Sequence, residues 1–513
     1  IVEDQGPDPI PEGAKNNLDN TFFKSSAFDE NEVFDRNLTA QLDLTIPFRL
    51  GSGFSGNVKF GGKIRDKYRE RDNTRHWTSH FGIDDLAEDT AGLWELTADN
   101  QVKITNFIKQ QDEIDNFLDG RFDISPVLDE DKINKFGSDF RDYRIDGEPF
   151  YIVDPTYDLE DYKAGENIYA GYFMTEINLG KRIMFLPGVR YEYTQNDYSS
   201  IFGTPSVGEE GEQIIGSLKD TTGGQSYYDF LPMIHLKYNA TDWFDVRFAV
   251  TKTLSRPNYF NLVPWRRIVH FDGTIEQGNP SLKRTIAWNY DAFLSFYNNL
   301  GLFTIGGFYK ELENIDYLRT SRLTEGQYAG YELTEPVNDE NITTVKGFEL
   351  ELQTNFRYLP KPFDGIVLYA NYSRIFSQTF FPLFEVGPRS TEPPYGFTII
   401  DTVREGRMPG QADYIANLSI GYEKGGFSGR LSMIYQGPAL QTVGTRSELD
   451  GYTDDYVRWD MVFRQKITSG FSVYANFNNI TNKAEKAFLG SRNFPTREEY
   501  FGWSAEVGFR YKF

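Results

Sequence analysis

The chain has four histidines and no cysteine to bind a transition metal, and the histidines are poorly grouped. His76 and His80, in the stretch RHWTSH, are four positions apart, and His270 stands alone between the stretches SRP and GNPSL. A protein zinc site needs three or four ligands, and this pair has no third ligand beside it. No serine, histidine and acid form a plausible catalytic constellation either, so the sequence predicts no enzyme, no bound metal and no cofactor.

Aromatic and arginine side chains in the connecting segments are better candidates, because flat rings stack on sugar rings and a guanidinium donates forked hydrogen bonds. Packing of the segments themselves explains such residues equally well, so both interpretations stay open. The predicted ligand contacts are Tyr259, Phe260, Trp265, Arg266, Arg267, Phe384, Tyr395 and Arg492, with Phe380, Phe381, Phe397, Phe488 and Phe494 as aromatic neighbours.

The composition excludes several classes of protein. The 513 residues include no cysteine, which excludes disulfides and thiol chemistry. A net charge of −22 argues against nucleic-acid binding, which needs clustered Lys and Arg. The mean hydropathy is −0.52, and no apolar run is long enough for a transmembrane helix. A membrane β-barrel escapes such averages, because lipid-facing and lumen-facing residues alternate along each strand.

Alternating apolar and polar residues recur along the chain and predict strands with one apolar face, as in DWFDVRFAVTKT, KGFELELQTNFRY and YVRWDMVFRQ. The polar positions of these three strands predict lumen-facing side chains, which either line a solute path or bond to one another, to water or to a plug. They are Asp245, Arg247, Glu349, Glu351, Arg458, Asp460 and Arg464. About fifteen strands are predicted, near 36–49, 56–71, 163–179, 181–196, 226–239, 242–255, 284–298, 301–316, 344–358, 365–379, 411–424, 427–437, 455–467, 471–481 and 501–513.

Short and long connections alternate between these strands, so all long loops emerge on one side. That asymmetry predicts an all-β fold: a transmembrane antiparallel β-barrel of the outer membrane, with short periplasmic turns and long extracellular loops. A soluble all-β repeat protein is the alternative, but its repeats would be shorter and more uniform.

The final strand, WSAEVGFRYKF, is apolar at every second residue and ends on an aromatic side chain. A barrel in lipid must close so that no strand edge stays unpaired, and the last strand seals the seam. Its residues Gly508, Tyr511 and Phe513 resemble the terminal signal that outer-membrane barrels present to their insertion machinery.

Several stretches resemble the barrel of TonB-dependent outer-membrane receptors, most closely a Caulobacter-type subgroup linked to carbohydrate uptake. They are FLPGVRYEYT, LPMIHLKYNATDWFDVRFAVTKTLSRPNY, GNPSLKRT, MPGQADYIANLSIGYEKGGFSGRLSMIYQG and VYANFNNITNKA. The resemblance implies a barrel of 22 strands around a plug, of which residues 36–513 supply about fifteen. Residues 1–35 are predicted to be an extracellular loop or tail, and the plug and early strands are expected to lie outside this chain. His270 is placed much as a haem ligand is in haem receptors of the superfamily, but the stretches around it also occur in receptors that bind no haem.

The first long loop, residues 72–162, contains a segment with apolar residues at helical spacing. Ile104, Phe107, Ile108, Ile114, Phe117 and Leu118 share one face of a predicted amphipathic helix that ends at Gly120. The acidic stretches beside it, GIDDLAEDT and PVLDEDK, lack the ordered spacing of a calcium loop. They are interpreted as solvated surface.

The resemblance implies a receptor in the outer membrane of a Gram-negative bacterium that binds a nutrient at its outer loops. Import would use energy from TonB, which acts through a plug outside this chain. Other expected partners are the barrel insertion machinery, outer-membrane lipids and a surface lipoprotein. Two alternatives remain: a structural or assembly subunit of an outer-membrane complex, and a plugless diffusion pore.

Overall fold

A computed structural model describes most of the chain. The described residues are 21–22, 25–51, 53–78, 94–97, 101–109, 114–116, 122–124, 127–145, 147–154, 157–203, 205–207, 213–215, 219–269, 273–323, 325–389, 397–444 and 446–512. In this part of the chain, no helix combines the length and apolar character needed to cross a membrane.

Fifteen long strands form the framework of the described residues, and the predicted all-β fold is confirmed. Short connections alternate with long ones, as predicted. The first strand begins at Ser26 rather than at residue 36, and the tenth extends to Arg389. The strands are β1 (Ser26–Leu50), β2 (Phe54–Thr78), β3 (Tyr162–Leu179), β4 (Ile183–Phe202), β5 (Lys219–Asn239), β6 (Phe244–Ser255), β7 (Thr285–Asn298), β8 (Gly301–Glu313), β9 (Thr343–Asn355), β10 (Ile366–Arg389), β11 (Tyr414–Lys424), β12 (Phe427–Gln436), β13 (Tyr456–Lys466), β14 (Phe471–Asn478) and β15 (Ser504–Tyr511).

From β5 to β15, each of these strands pairs antiparallel with the next. Directly opposed residues share a face of the sheet, and one such row crosses eight strands. It consists of Asp245, Ser295, Thr304, Glu351, Asn371, Asn417, Ile434 and Arg458. The other face carries exposed large apolar side chains such as Phe248, Phe348 and Phe509, as a lipid-facing surface requires.

Strand β15 shows why a glycine occupies one position of the polar face. Gly508 lies opposite Tyr474 on β14, and a Cβ at this position would come within 2.5 Å of the tyrosine hydroxyl. The missing side chain therefore makes room for the ring, whose hydroxyl donates to Glu506 at 2.9 Å. Tyr511 lies on the opposite face and is exposed, and Phe513 lies outside the described residues.

The connecting segments contain shorter elements. The two α-helices in the described residues are α1 (Glu130–Phe140) and α2 (Tyr259–Leu262). Single 3₁₀ turns lie at Ile104–Phe107, Tyr157–Glu160, Phe363–Gly365 and Ser447–Leu449. Further strands, of two to ten residues, lie at Ile114–Asn116, Phe122–Ile124, Arg144–Ile145, Glu148–Pro149, Ile152–Asp154, Pro205–Val207, Gln213–Ile215, Arg266–Val269, Thr274–Gln277, Asp316–Arg322, Glu332–Asn338, Phe397–Gly406, Ala439–Thr442, Gly451–Thr453, Glu485–Leu489 and Pro495–Glu499.

The chain forms two compact units. The loop unit comprises residues 1–34, 70–162 and 201–219, and the strand unit comprises residues 35–69, 163–200 and 220–513. The loop unit has an aromatic core in which Phe107 and Phe136 meet edge to face at 5.5 Å. Phe140, Phe150 and Tyr151 are buried with them, so this unit buries apolar surface of its own.

The helix predicted between Ile104 and Leu118 is wrong. Residues 104–107 form a 3₁₀ turn and residues 114–116 a strand. The helix lies instead at α1, where Asp129 accepts a hydrogen bond from the Lys132 N–H and caps the first turn. Phe136 and Phe140, one turn apart, give α1 its buried face. Part of the acidic stretch PVLDEDK is therefore a helix start.

Asp161 of the loop unit makes local stability depend on pH. Burial raises its pKa to about 6, the hydrogen bond from the Asn73 N–H opposes this, and the carboxylates of Asp72 and Asp158 add to it. The folded segment therefore binds the proton more tightly than the unfolded chain does. This stabilisation is complete below the ordinary pKa of 3.8 and is lost as the pH rises through about 6.

We therefore expect Asp161→Asn to slow amide hydrogen exchange of residues 157–162 at pH 7.5, since the asparagine keeps an acceptor and removes the buried charge. At about pH 3, below the ordinary pKa of 3.8, and after correction for intrinsic exchange rates, the variant and the original chain should match. Equal protection of the two proteins at pH 7.5 would contradict the prediction.

Candidate functional site

The long segment between β6 and β7 is held by several short elements of the strand unit. Asn258 caps α2 by accepting a hydrogen bond from the Phe260 N–H at 3.2 Å. Strands Arg266–Val269 and Thr274–Gln277 pair antiparallel, and the second also pairs in parallel with Glu332–Asn338. Ile268, Ile275 and Leu333 form a small apolar core between them. The described parts of the segment are thus held by contacts within the protein.

Trp265, one of the ligand contacts predicted from the sequence, is engaged with its own segment. Its indole stacks on the Phe260 ring with centroids 4.8 Å apart, and its Nε1 donates to the Phe260 carbonyl at 3.0 Å. Gly278 packs closely here, because a Cβ would come within 1.9 Å of the Val263 carbonyl oxygen. These contacts are those of an anchor within the loop.

The two arginines after Trp265 pair with residues of the facing short strand. Arg266 Nε donates to Gln277 Oε1 at 2.8 Å, and the Arg267 guanidinium forms an ion pair with Glu276. Both partners of the Arg267 pair are partly exposed, so water weakens the pair. The arginines thus stabilise the hairpin and retain exposed surface.

A buried ion-pair network fixes the start of this segment against β2, β3 and β4. The carboxylates of Glu166 and Glu192 are 3% and 10% exposed. Arg256 Nη2 donates to Glu192 Oε2 at 2.7 Å, and its Nε lies 3.4 Å from Glu166 Oε2. Arg65 pairs with Glu166, and Arg190 Nε donates to Glu192 at 2.6 Å. Each buried carboxylate therefore has two guanidinium partners.

Further contacts hold the same segment along its length. The Lys67 ammonium lies 4.8 Å from the centroid of the Tyr259 ring, a cation–π geometry. Burial raises the pKa of the Tyr259 phenol, and nearby Glu166 raises it further. Arg284 Nε donates to the buried Asp229 at 2.7 Å. Since these partners lie on β2 and β5, the segment is tied to the strands at both ends.

The last two long segments form a second ordered surface in the strand unit. Strands Ala439–Thr442, Gly451–Thr453, Glu485–Leu489 and Pro495–Glu499 make a small sheet. Arg404 binds the buried Asp450 with both terminal nitrogens, at 2.5 and 3.0 Å. Arg492 donates to Asp454 at 2.7 Å and to Asp455 at 2.8 Å, yet its side chain stays 59% exposed. An exposed guanidinium held in place by two carboxylates is a preorganised donor.

The predicted aromatic residues divide between interior and surface. Phe381 is fully buried and meets Tyr317 edge to face at 5.5 Å, so it contributes to packing. Phe488 stacks on Tyr452 at 5.3 Å, whereas Phe494 is 66% exposed. Phe380 is half-buried on β10. Tyr395 and the side chains of Phe384 and Phe397 lie outside the described residues.

The seven predicted lumen-facing residues lie on one face of the sheet. The row that crosses eight strands contains Asp245, Glu351 and Arg458, and the other four are two or six residues from a member of that row. Their identity as lumen residues stays a prediction. Asp245 is fully buried and accepts two hydrogen bonds from Arg247, at 3.0 and 3.1 Å, and Arg458 Nε donates to Asp460 at 3.1 Å. Ion pairing within the wall thus accounts for four of the seven charges.

Of the three histidines singled out in the sequence, only His76 lies in the described residues. His76 stacks on Phe28 with centroids 4.7 Å apart, and His80 and His270 lie outside the described residues. No group of His, Cys, Asp and Glu in the described ranges has the geometry of a metal site.

Sequence reasoning missed the Glu166–Glu192–Arg256 network. Its members are distant in sequence, and each looks like an ordinary polar residue of an alternating strand or of the stretch SRPNY. The available signal was the recurrence of Glu on the polar face of two consecutive strands, with an arginine directly after a third.

Solved structures of outer-membrane receptors share the fold of this chain. The Ferric-Catecholate import receptor Fiu from Escherichia coli K12, in its closed form, is 13% identical with a TM-score of 0.55, covering 94% of this chain and 55% of the receptor. A double mutant of the Serratia marcescens hemophore receptor HasR, in complex with HasA and heme, is 11% identical with a TM-score of 0.54, covering 94% and 60%. The siderophore receptor PiuA from Acinetobacter baumannii is 14% identical with a TM-score of 0.53, covering 95% and 56%.

This chain spans less than two thirds of the length of these receptors. No curated protein sequence matches it. The family model of the TonB dependent receptor-like β-barrel matches residues 3–480. Barrels of this family lie in the outer membrane of Gram-negative bacteria, and the family consists of transport receptors rather than enzymes. The Caulobacter-type subgroup stays a prediction. With a match over most of its length, the chain belongs to the TonB-dependent receptor β-barrel family.

Proposed function

We propose that this chain forms barrel wall and outer loops of a receptor that binds a nutrient outside the cell and imports it with TonB-coupled energy. The observation that carries the proposal is the family match across residues 3–480. TonB would act through a plug supplied outside these residues. The insertion machinery and a surface lipoprotein are further proposed partners.

The ordered outer segments support nutrient binding. The hairpin after α2 and the small sheet near Arg492 are held by internal ion pairs and stacking, and preorganisation of this kind lowers the entropy lost on binding. We propose a carbohydrate as the nutrient, because ring faces and forked donors occur together in these segments. The receptors of similar fold suggest the main alternative, since Fiu is named for a ferric catecholate and PiuA for a siderophore.

Uptake in cells tests the proposal. The gene is deleted, and accumulation of radiolabelled oligosaccharides and of iron-55 complexes of catecholate siderophores is compared with the parent strain, with and without TonB. Loss of uptake of one compound in both the gene deletion and the TonB deletion supports energised import. Uptake that depends on the gene but not on TonB would indicate a diffusion pore, and unchanged uptake of every compound would favour a structural subunit.

Two substitutions separate ligand contact from loop support. We expect Arg492→Ala to weaken binding of the transported compound by about 1–3 kcal/mol, the scale of an interface hot spot. Its effect on stability should stay below about 1 kcal/mol, because the guanidinium is mostly exposed and water weakens its ion pairs. Trp265→Ala removes a stacked, hydrogen-bonded anchor, so it should lower the unfolding temperature of the purified receptor.

Affinity by isothermal titration and unfolding by tryptophan fluorescence are measured on both variants. If Trp265→Ala weakens binding while the unfolding temperature is unchanged, the sequence-based contact role of Trp265 is correct and the anchor role is wrong. Unchanged affinity of Arg492→Ala would remove Arg492 from the binding site.

A further inference from the structure

A groove of about 610 Å³ crosses β1, β2, β3 and β4 on the face opposite Glu166 and Glu192. Its floor consists of Ala40, Gly62 and Gly171, one residue from each of three strands. Leu42, Ile64 and tyrosine rings form its walls. Because side chains alternate between faces, the groove lies on the surface that carries the exposed apolar residues of these strands.

The two floor glycines are not required by the protein itself. Neither has a positive φ, so the backbone does not need glycine at these positions. A Cβ at Gly62 would lie 3.6 Å from its nearest neighbour, the Ala170 carbonyl oxygen, and one at Gly171 would lie 3.9 Å from the Gly61 carbonyl oxygen. These are ordinary contacts, and glycine within a strand weakens it. Larger side chains would therefore fit at these two positions, and they would fill the groove.

Tyrosine rings border the groove on one side. Tyr169 and Tyr193 stack with centroids 6.3 Å apart, and Tyr193 stacks on Tyr228 at 5.6 Å. Tyr169, Tyr191 and Tyr228 are between 46% and 66% exposed. Outer-membrane barrels place such aromatic girdles at the membrane–water interface. The groove therefore meets the girdle at one end and continues into exposed Leu44, Ile46 and Phe173, which belong to the apolar band.

We propose that this groove binds one acyl chain of a membrane lipid. The groove is continuous with the apolar band, and in a member of this family the apolar band faces the membrane. The occupant is therefore expected to be the hydrocarbon of a lipid. A water molecule occupies about 30 Å³ in the liquid, so the groove holds roughly 20 groups of comparable size, the scale of one methylene chain. A protein partner needs on the order of 800 Å² on each side, whereas the groove is a notch at one level of four strands.

The inference rests on the family assignment and does not depend on nutrient import. Lipid labelling tests it on the receptor isolated from the outer membrane. The protein is placed in phosphatidylethanolamine vesicles that contain a trace of phosphatidylethanolamine with a diazirine on one acyl chain. After photolysis, labelled residues are mapped by peptide mass spectrometry. We expect labelling around Gly62–Ile64 and Tyr169–Gly171 to exceed that of other outward-facing strand positions about tenfold, equivalent to 1.4 kcal/mol.

A double variant in which leucine side chains fill the groove provides a second test. Gly62→Leu with Gly171→Leu should reduce labelling there to the level of the other strands. Gly307→Leu is the matched control, because Gly307 lies on the apolar face between Ala292 and Phe348 and has similar space, its nearest neighbour being 3.9 Å away. It should leave labelling at the groove unchanged. Heat-modifiable migration on gels verifies assembly of each variant.

The labelling pattern of the original protein decides the question even if the double variant fails to assemble. Uniform labelling along all outward-facing strands would overturn the proposal. So would an assembled double variant that keeps the strong labelling. Cross-links between two copies of the chain through these residues would show that a second subunit, and not a lipid, occupies the groove.

Discussion

Phe248→Arg sharply lowers the amount of assembled protein in the outer membrane, according to the orientation of β6. Phe248 is 52% exposed on the face opposite Arg247 and lies well inside a strand that starts at Phe244. Arginine at the midplane of a bilayer costs about 2–4 kcal/mol on the lipid-facing side of a barrel. Heat-modifiable migration of membrane fractions on gels measures the assembled fraction.

Two controls bracket this prediction. Phe230→Arg makes the same change on the apolar face of β5, two residues from Tyr228 of the aromatic girdle. The cost there should fall to roughly 0–1 kcal/mol, because the charge reaches the interface. Arg247→Ala should leave assembly intact, since Lys237 still lies 3.4 Å from the Asp245 carboxylate. Equal assembly of Phe248→Arg and Phe230→Arg would show that the apolar face of the sheet does not meet lipid.

Arg256→Ala is expected to have the largest effect on stability in the strand unit. The substitution leaves the carboxylates of Glu166 and Glu192, which are nearly inaccessible to water, with one guanidinium partner each. Loss of one member of a buried ion pair costs about 3–5 kcal/mol when the other member is left without a partner. Because Glu166 keeps Arg65 and Glu192 keeps Arg190, we expect a cost near the lower end of that range, about 3 kcal/mol. The temperature at which the heat-modifiable band converts to the unfolded form should therefore fall markedly.

An exposed ion pair supplies the control. Arg430 donates to Glu423 at 3.2 Å, with both side chains about half exposed, and pairs of this kind contribute roughly 0–1 kcal/mol. Arg430→Ala should hardly change the conversion temperature. If Arg256→Ala and Arg430→Ala behave alike, the network does not hold the segment between β6 and β7.

The strands could be predicted from the sequence because each one carries its signal locally. In β6, β9 and β13 a period of two separates apolar from charged residues, and neither burial nor distant partners are needed to read it. The alternation of short and long connections follows from the strand positions alone. The predicted position of the first helix was wrong because Phe107 supplies an apolar residue at helical spacing but belongs to a 3₁₀ turn, and its burial comes from a tertiary aromatic core.

The contacts within the outer segments could not be predicted in the same way. Arg256 meets Glu192 across 64 residues, and nothing in either neighbourhood specifies the partner. Trp265 illustrates the same limit, since its type suggested a ligand surface and only the geometry revealed the stack on Phe260. Side chains whose roles depend on long-range pairing are ambiguous in one sequence, whereas the repeating pattern of a strand is not.

The aromatic core of the loop unit affects how the exposed segment between β2 and β3 can change during evolution. Phe107, Phe136, Phe140 and Phe150 bury one another within a single connection between two strands, so the segment brings its own stabilising contacts. Recombination between genes could exchange this segment as one cassette, because the alternating pattern of β2 and β3 would remain unaltered. Bacteriophages and antibodies that recognise the exposed segment would then lose their target while the wall of the receptor is inherited unchanged.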